Sequence, residues 1–235
     1  MKTLGVCVAA GLLLSACASG ISGGMTINTN SNKIVTQYPV ETALLNIYTR
    51  AYSDRLYTLI DDQLFVVDTQ ITPKGVIKFN NKQVQGAEAV ATTIINDQVV
   101  DKSVGINYFT LDPLVFHGFT SDADEYSIAT QTQPIPKIAN INESSTYLNE
   151  QVYSDSSKRK HLKTYTQTWS LKRESNDTAW FCIESSENLL LSDDNDGPTT
   201  ECYKINAQGD ILASKITIRQ ANDDGSTEAI TFVSQ

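Results

Sequence analysis

The sequence predicts a mainly β, antiparallel fold: a curved sheet, sandwich or barrel with one short N-terminal helix. Three observations carry this. Short runs rich in Val, Ile, Thr, Tyr and Phe alternate between two residue sets, as the two faces of a strand require. The breaks between runs are rich in Asn and Asp, as in Asn206-Ala207-Gln208-Gly209-Asp210 and Asn222-Asp223-Asp224-Gly225. Such turns at roughly 8–12-residue spacing mark antiparallel strands. No run is long enough for the helices of βαβ units, which argues against a parallel sheet.

Pro39 to Tyr48 is the helix. Pro39 suits a first turn, and Val40, Ala43, Leu44, Ile47 and Tyr48 recur at helical spacing. Strand signals then follow. Arg55–Ile60 and Leu64–Ile71 flank the turn-like Asp61-Asp62-Gln63, and Phe65, Val67, Thr69 and Ile71 share one face. Pro73-Lys74-Gly75 reads as a turn before Val76–Phe79, and Asn80-Asn81 as another. Further runs are 91–95, 104–110, 114–119, 126–132, 147–153, 163–172, 178–184, 201–205, 211–219 and 227–233. The clearest alternation is Thr164 to Leu171: Tyr165, Gln167, Trp169 and Leu171 face one way, and the intervening Thr and Ser residues the other.

The N-terminus has the form of an export signal. Met-Lys-Thr precedes an apolar run from Leu4 to Leu14, and Ser15-Ala16-Cys17 follows. A membrane-spanning helix needs about 20 apolar residues, so this run is too short to be one. Leu14-Ser15-Ala16-Cys17 matches a lipobox, and the N-terminus resembles that of bacterial lipoproteins. The resemblance covers only these first residues. It implies a signal peptide over 1–16, cleavage before Cys17, and diacylglyceryl attachment to the Cys17 thiol. Two or three acyl chains on one residue would make release negligible, since each buried methylene contributes about 0.8 kcal/mol. Ala18 stands where an Asp would favour inner-membrane retention. The pattern therefore implies anchoring at the outer membrane, facing the periplasm. Residues 17–33, rich in Gly, Ser, Asn and Thr, read as the lipidated Cys and a flexible tether. Residues 34–235 read as a single β-rich domain.

Cys7 falls in the signal, which leaves Cys182 and Cys202 in an exported chain. An even pair in an oxidising compartment is expected to form a disulfide. Both lie in strand-like runs on either side of a polar loop, so the bond is expected to clamp neighbouring strands.

The composition narrows function mainly by exclusion. Of 235 residues, 40% are hydrophobic and 19% charged, too apolar for a disordered chain. With 18 Lys+Arg against 27 Asp+Glu, the net charge of −9 offers no basic face for nucleic acid. Only two histidines occur, His117 in an apolar run and His161 in a basic turn. Neither has a neighbouring Ser or Cys motif, and the HExxH pattern is missing, so no catalytic residue is expected. Aligning Gly197 with the turn glycine of a calcium loop puts Ser192 and Tyr203 where carboxylates are required, so no metal site is expected. No Gly-rich phosphate cradle is present, and no cofactor is expected. The expectation is a non-enzymatic binding, interaction or assembly module. Its partner would be another envelope protein. The alternatives are a carrier of an apolar ligand, such as lipid or acyl chains held inside a curved sheet, and an envelope enzyme.

Overall fold

The computed structural model describes residues 34–186, 196–221 and 227–234. The signal, Cys17, the tether and the 222–225 turn lie outside the described residues, as does Ser192 of the calcium-loop test. Strand β1 (Gln37–Tyr38) leads into helix α1 (Val40–Thr49). Then come β2 (Tyr52–Ile60), β3 (Gln63–Phe79), β4 (Lys82–Ile95), β5 (Gln98–Leu111), β6 (Leu114–Ser121) and β7 (Glu125–Gln131). They are followed by β8 (Ala139–Asn140), β9 (Ser144–Tyr153), β10 (His161–Arg173), β11 (Thr178–Ser185), β12 (Asp196–Asn206), β13 (Ile211–Ala221) and β14 (Thr227–Ser234). Twelve of these strands close into one antiparallel barrel, in the order β10-β11-β12-β13-β14-β2-β3-β4-β5-β6-β7-β9. β1 and β8 form a separate two-stranded sheet.

The turn chemistry explains the hairpins. Asp61-Asp62, Asn80-Asn81 and Asn96-Asp97 all take positive φ. Two consecutive left-handed residues are what a tight primed turn requires, and Asn and Asp tolerate that region best. The Pro73-Lys74-Gly75 turn is a misreading. β3 runs straight through it, paired to β4, with a register shift between Pro73 and Gly75. Gly75, at φ +67°, absorbs the bulge. The β3–β4 hairpin consequently extends to Asn80-Asn81. Its tip packs Phe79 and Val84 against Tyr108, on the strand face opposite the barrel interior. The Phe79 and Tyr108 rings stack at 4.0 Å.

Two places in the ladder are thin. Among the described residues, β14 meets β2 only through Val233↔Tyr57 and Ser234↔Leu56. β6 meets β7 only through Thr120↔Tyr126 and Ser121↔Glu125. Side chains complete this second seam. The Gln131 amide accepts from the Phe116 N–H and donates to the Leu114 carbonyl, both at 3.1 Å. Ser127 Oγ accepts from the Phe119 N–H at 2.6 Å. The buried backbone of β6 is thereby satisfied without a continuous ladder. Gly118 is what allows the close approach: a Cβ there would lie 2.3 Å from the Ser127 carbonyl oxygen.

α1 fills one end of the barrel. Val40, Ala43, Leu44 and Ile47 are buried among Ala87 of β4 and Leu114, Leu171, Ala179 and Ile205, the last four near strand ends. Tyr48 sets its ring against Phe109 and Phe116, with centroids 5.8 and 5.6 Å away. The β12–β13 turn clasps the helix from outside, where Asn46 Nδ2 donates to the Gly209 carbonyl at 3.1 Å. The helical spacing read from the sequence is borne out to within a residue at each end.

The outward wall is charged. Arg55–Asp68, Lys74–Glu88, Lys204–Glu174 and Arg219–Glu184 form ion pairs at 2.9–4.0 Å. Among the described residues no helix is long and apolar enough to cross a membrane.

Cys182 and Cys202 face each other directly across β11 and β12 and are disulfide-bonded. The bond lies on the opposite strand face from Phe181 and Tyr203, outside the lumen. It closes a 20-residue separation, for which loop-closure entropy gives about 3 kcal/mol. Cys182→Ala with Cys202→Ala is expected to lower unfolding stability by about that amount in urea. An unchanged midpoint would show that the ladder alone holds β11 and β12.

Candidate functional site

Behind α1 the barrel encloses a cavity of about 550 Å³. Small-molecule sites occupy roughly 300–1,000 Å³. Its existence follows from small inward residues. Ala87, Ala89 and Ala91 alternate along β4, and Gly105 pairs with Ala89 from β5. Where inward neighbours are this small, twelve strands leave space that side chains do not fill.

The lumen lining has two unlike parts. Leu56, Ile71, Ala89, Ala91 and Phe116 give an apolar stretch, bordered on β5 to β7 by Ser103, Asn107, Ser121 and Glu125. The other is an arc of hydroxyl and carboxyl groups along β9 to β13, continued by β2. Three tyrosine–carboxylate pairs stand in it. Tyr165 donates to Glu150 Oε2 at 2.8 Å, Tyr203 to Glu201 Oε2 at 3.0 Å, and Tyr52 to Asp54 Oδ2 at 3.0 Å. Ser127 and Ser214 add hydroxyl donors to Glu150 and Asp54. Tyr147 donates to Gln167 Oε1 at 2.5 Å. The alternation read from the sequence places these groups: Tyr165 and Gln167 share a face of β10 with Trp169 and Leu171.

The carboxyls do different work. Glu150 receives the same Ser127 hydroxyl that accepts from the Phe119 N–H, so it orients the group that completes the β6–β7 seam. Glu201 makes one side-chain hydrogen bond among the described residues, to Tyr203. It is walled by protein yet only half-buried, because its carboxyl borders the cavity.

Burial dominates the electrostatics. It pushes the Glu201 carboxyl above its ordinary value of 4.5, against the lowering effect of the Tyr203 hydroxyl. Burial likewise raises Glu150, opposed by Ser127 and Tyr165. Tyr48, Tyr52, Tyr147, Tyr165 and Tyr203 are all raised, chiefly by burial, and remain donors at physiological pH.

A raised carboxyl means that the folded state keeps a proton the unfolded chain releases. Stability from Glu201 and Glu150 is therefore full below about 4.5 and is lost as pH rises through their higher folded values. Glu201→Gln should flatten this slope, raising the urea midpoint at pH 8 relative to wild type and changing it little at pH 4.5. Parallel pH profiles for the two proteins would refute this.

Cations sit at the edges of the lumen. Lys163 is paired with Glu125 at 3.3 Å. Lys102 is exposed at the rim, and Lys215 lies over the outward Trp180 ring at 4.2 Å. Among the described residues, no group of three or more His, Cys, Asp or Glu is placed to hold a metal ion.

The two histidines are not brought together, since β7 and β9 lie between their strands. His161 Nε2 shares a hydrogen bond of 2.8 Å with Thr164 Oγ1 on the surface. His117 Nε2 is buried without a hydrogen-bond partner among the described residues. Burial, aided by the nearby Lys82 charge, lowers its pKa. The lumenal residues themselves were missed by sequence reasoning. The signal was present as Ala87-x-Ala89-x-Ala91, small residues at alternate positions.

No protein-family model matches the chain, and no curated protein or solved structure matches it.

Proposed function

We propose that this chain is a lipid-anchored, non-enzymatic binding protein of the bacterial envelope, whose barrel lumen holds a small amphipathic molecule. The single observation that carries the reading is the 550 Å³ cavity, lined by both apolar and polar side chains. A scaffold that only docked proteins would gain stability by filling that space, since empty volume forfeits packing energy. The charged outer wall suits a domain tethered beside a membrane rather than one spanning it. The tether is Cys17, with anchoring at the outer membrane and the domain facing the periplasm. The carboxyl groups are held by tyrosine and serine hydroxyls, and no histidine lines the lumen, which favours binding over catalysis.

Two measurements test this. Cys17→Ser should release the protein from membranes, and a variant still bound to them would sink the anchor. Native mass spectrometry of residues 17–235 carrying Cys17→Ser, purified without detergent, should show one small molecule per chain that solvent extraction removes. A protein that neither carries such a mass nor takes up added 1-octanol would sink the lumen reading.

A second reading, docking of another envelope protein, draws on four apolar side chains beside two hairpin turns. Leu59 is 72% exposed and Val99 64%, with Leu64 and Val100 alongside. Cross-linking in intact membranes should then capture a partner through this end of the barrel. Leu59→Asp with Val99→Asp would abolish that capture if the docking reading holds.

A further inference from the structure

The polar wall of the lumen contains a hydroxyl with nothing to bond. Ser185 is 4% exposed, borders the cavity, and its Oγ has no hydrogen-bond partner among the described residues. A buried hydroxyl left in this way costs free energy, and native structures rarely tolerate it without a water or ligand to fill the role. Its position within the arc is specific. Ser185 pairs with Thr199 across β11 and β12, and Ile183 pairs with Glu201. Ser185 and Glu201 are thus diagonal neighbours on one sheet face, about 7 Å apart at the backbone. A polar group bound between them would border both side chains.

The charge at this spot selects what that group is. Glu201 has no ion-pair partner among the described residues, and neither have Glu150 and Asp54. The lysines that border the lumen are occupied by Glu125, drawn outward over Trp180, or exposed at the rim. An anion would meet a lining in which six carboxyl residues, Asp54, Asp101, Asp122, Glu125, Glu150 and Glu201, outnumber three lysines. A neutral alcohol would satisfy Ser185 but leave the carboxylate's charge uncompensated. A protonated amine supplies the missing charge and donates to both groups, and charge-assisted hydrogen bonds are about twice as strong as neutral ones.

Resting on the lumen reading, we infer that the ligand is a primary amine on an apolar chain, its ammonium held between Glu201 and Ser185. The chain lies against Ala89 and Ala91, where the wall is smallest. Burial raises the Glu201 carboxyl, and an ammonium beside it opposes that shift by favouring the charged form.

The test compares three probes of one length, octylamine, 1-octanol and octanoate, by calorimetry at pH 7 on residues 17–235 carrying Cys17→Ser. The described ladders, helix contacts and disulfide all lie within residues 34–234, so this span carries its own core. Octylamine should bind at least tenfold tighter than 1-octanol, and octanoate weakest. Glu201→Gln should remove the amine's advantage over 1-octanol. Ser185→Ala should weaken octylamine several-fold and serves as the readout if Glu201→Gln does not fold. An amine no tighter than the alcohol, or a tighter octanoate, overturns the inference while the lumen reading stands. If none of the three binds, the lumen reading itself fails and the inference with it.

Discussion

Leu44→Ala is expected to lower unfolding stability by about 3–5 kcal/mol, enough to loosen the closed end of the barrel. Leu44 is 1% exposed and sits in the middle of the apolar face of α1. Its neighbours Val40, Ala43 and Ile47 are equally buried, so the site cannot collapse by local movement. A rigid ring of strand ends surrounds it, and the void left by the lost methyls keeps its volume. Nor does capping protect the helix: Pro39 makes no side-chain cap and the ten residues are too few to be helical alone. Packing into the barrel end is what keeps α1 folded. Urea unfolding followed by tryptophan fluorescence measures the loss. A cost under 1 kcal/mol would mean that α1 is an accessory to the barrel and not part of its core.

Ala91→Trp is expected to abolish uptake of 1-octanol, weakening it by at least a hundredfold, with little loss of fold. Ala91 pairs with Thr69 on one side and Ser103 on the other, and its methyl borders the cavity. An indole there projects into space that is already empty, so it need not displace packed neighbours. The usual overpacking cost of about 1–3 kcal/mol is accordingly reduced. Calorimetric titration reads the effect, with circular dichroism as the check on folding. Undiminished octanol binding by a folded Ala91→Trp protein would place the ligand elsewhere.

These two expectations rest on parts of the molecule that differ in legibility. The helix was readable because Val40, Ala43, Leu44 and Ile47 recur at the helical period and all four face the core. The Tyr165–Leu171 face was readable for the matching reason at period two. The disulfide followed from two cysteines in one exported chain, and the register confirms that they face each other. Closure into a barrel was not readable. It depends on the pairing of β14 with β2 and of β9 with β10, and local alternation carries no information about which strand lies beside which.

The site was hidden for a further reason. Glu150 and Glu201 occupy inward positions, whereas a charged residue in an alternating strand normally marks the solvent face. Only the Ser127, Tyr165 and Tyr203 hydroxyls make those positions tolerable, and two of these come from other strands. Pro73 misled in the opposite direction. Proline lacks the N–H that a ladder needs and usually ends a strand, but here the bulge at Gly75 takes up the mismatch.

The most direct measurement of the central claim is methyl NMR of residues 17–235 carrying Cys17→Ser during titration with 1-octanol. A ligand in the lumen should shift the methyls of Ile71, Ala89, Ala91, Ile183 and Ile216, which border the cavity. Ile77 and Ile128, packed in the outer Phe79–Tyr108 cluster, should stay in place. Saturable shifts confined to the first set are the result the account predicts. Shifts confined to the outer set, or none at saturating octanol, would contradict it.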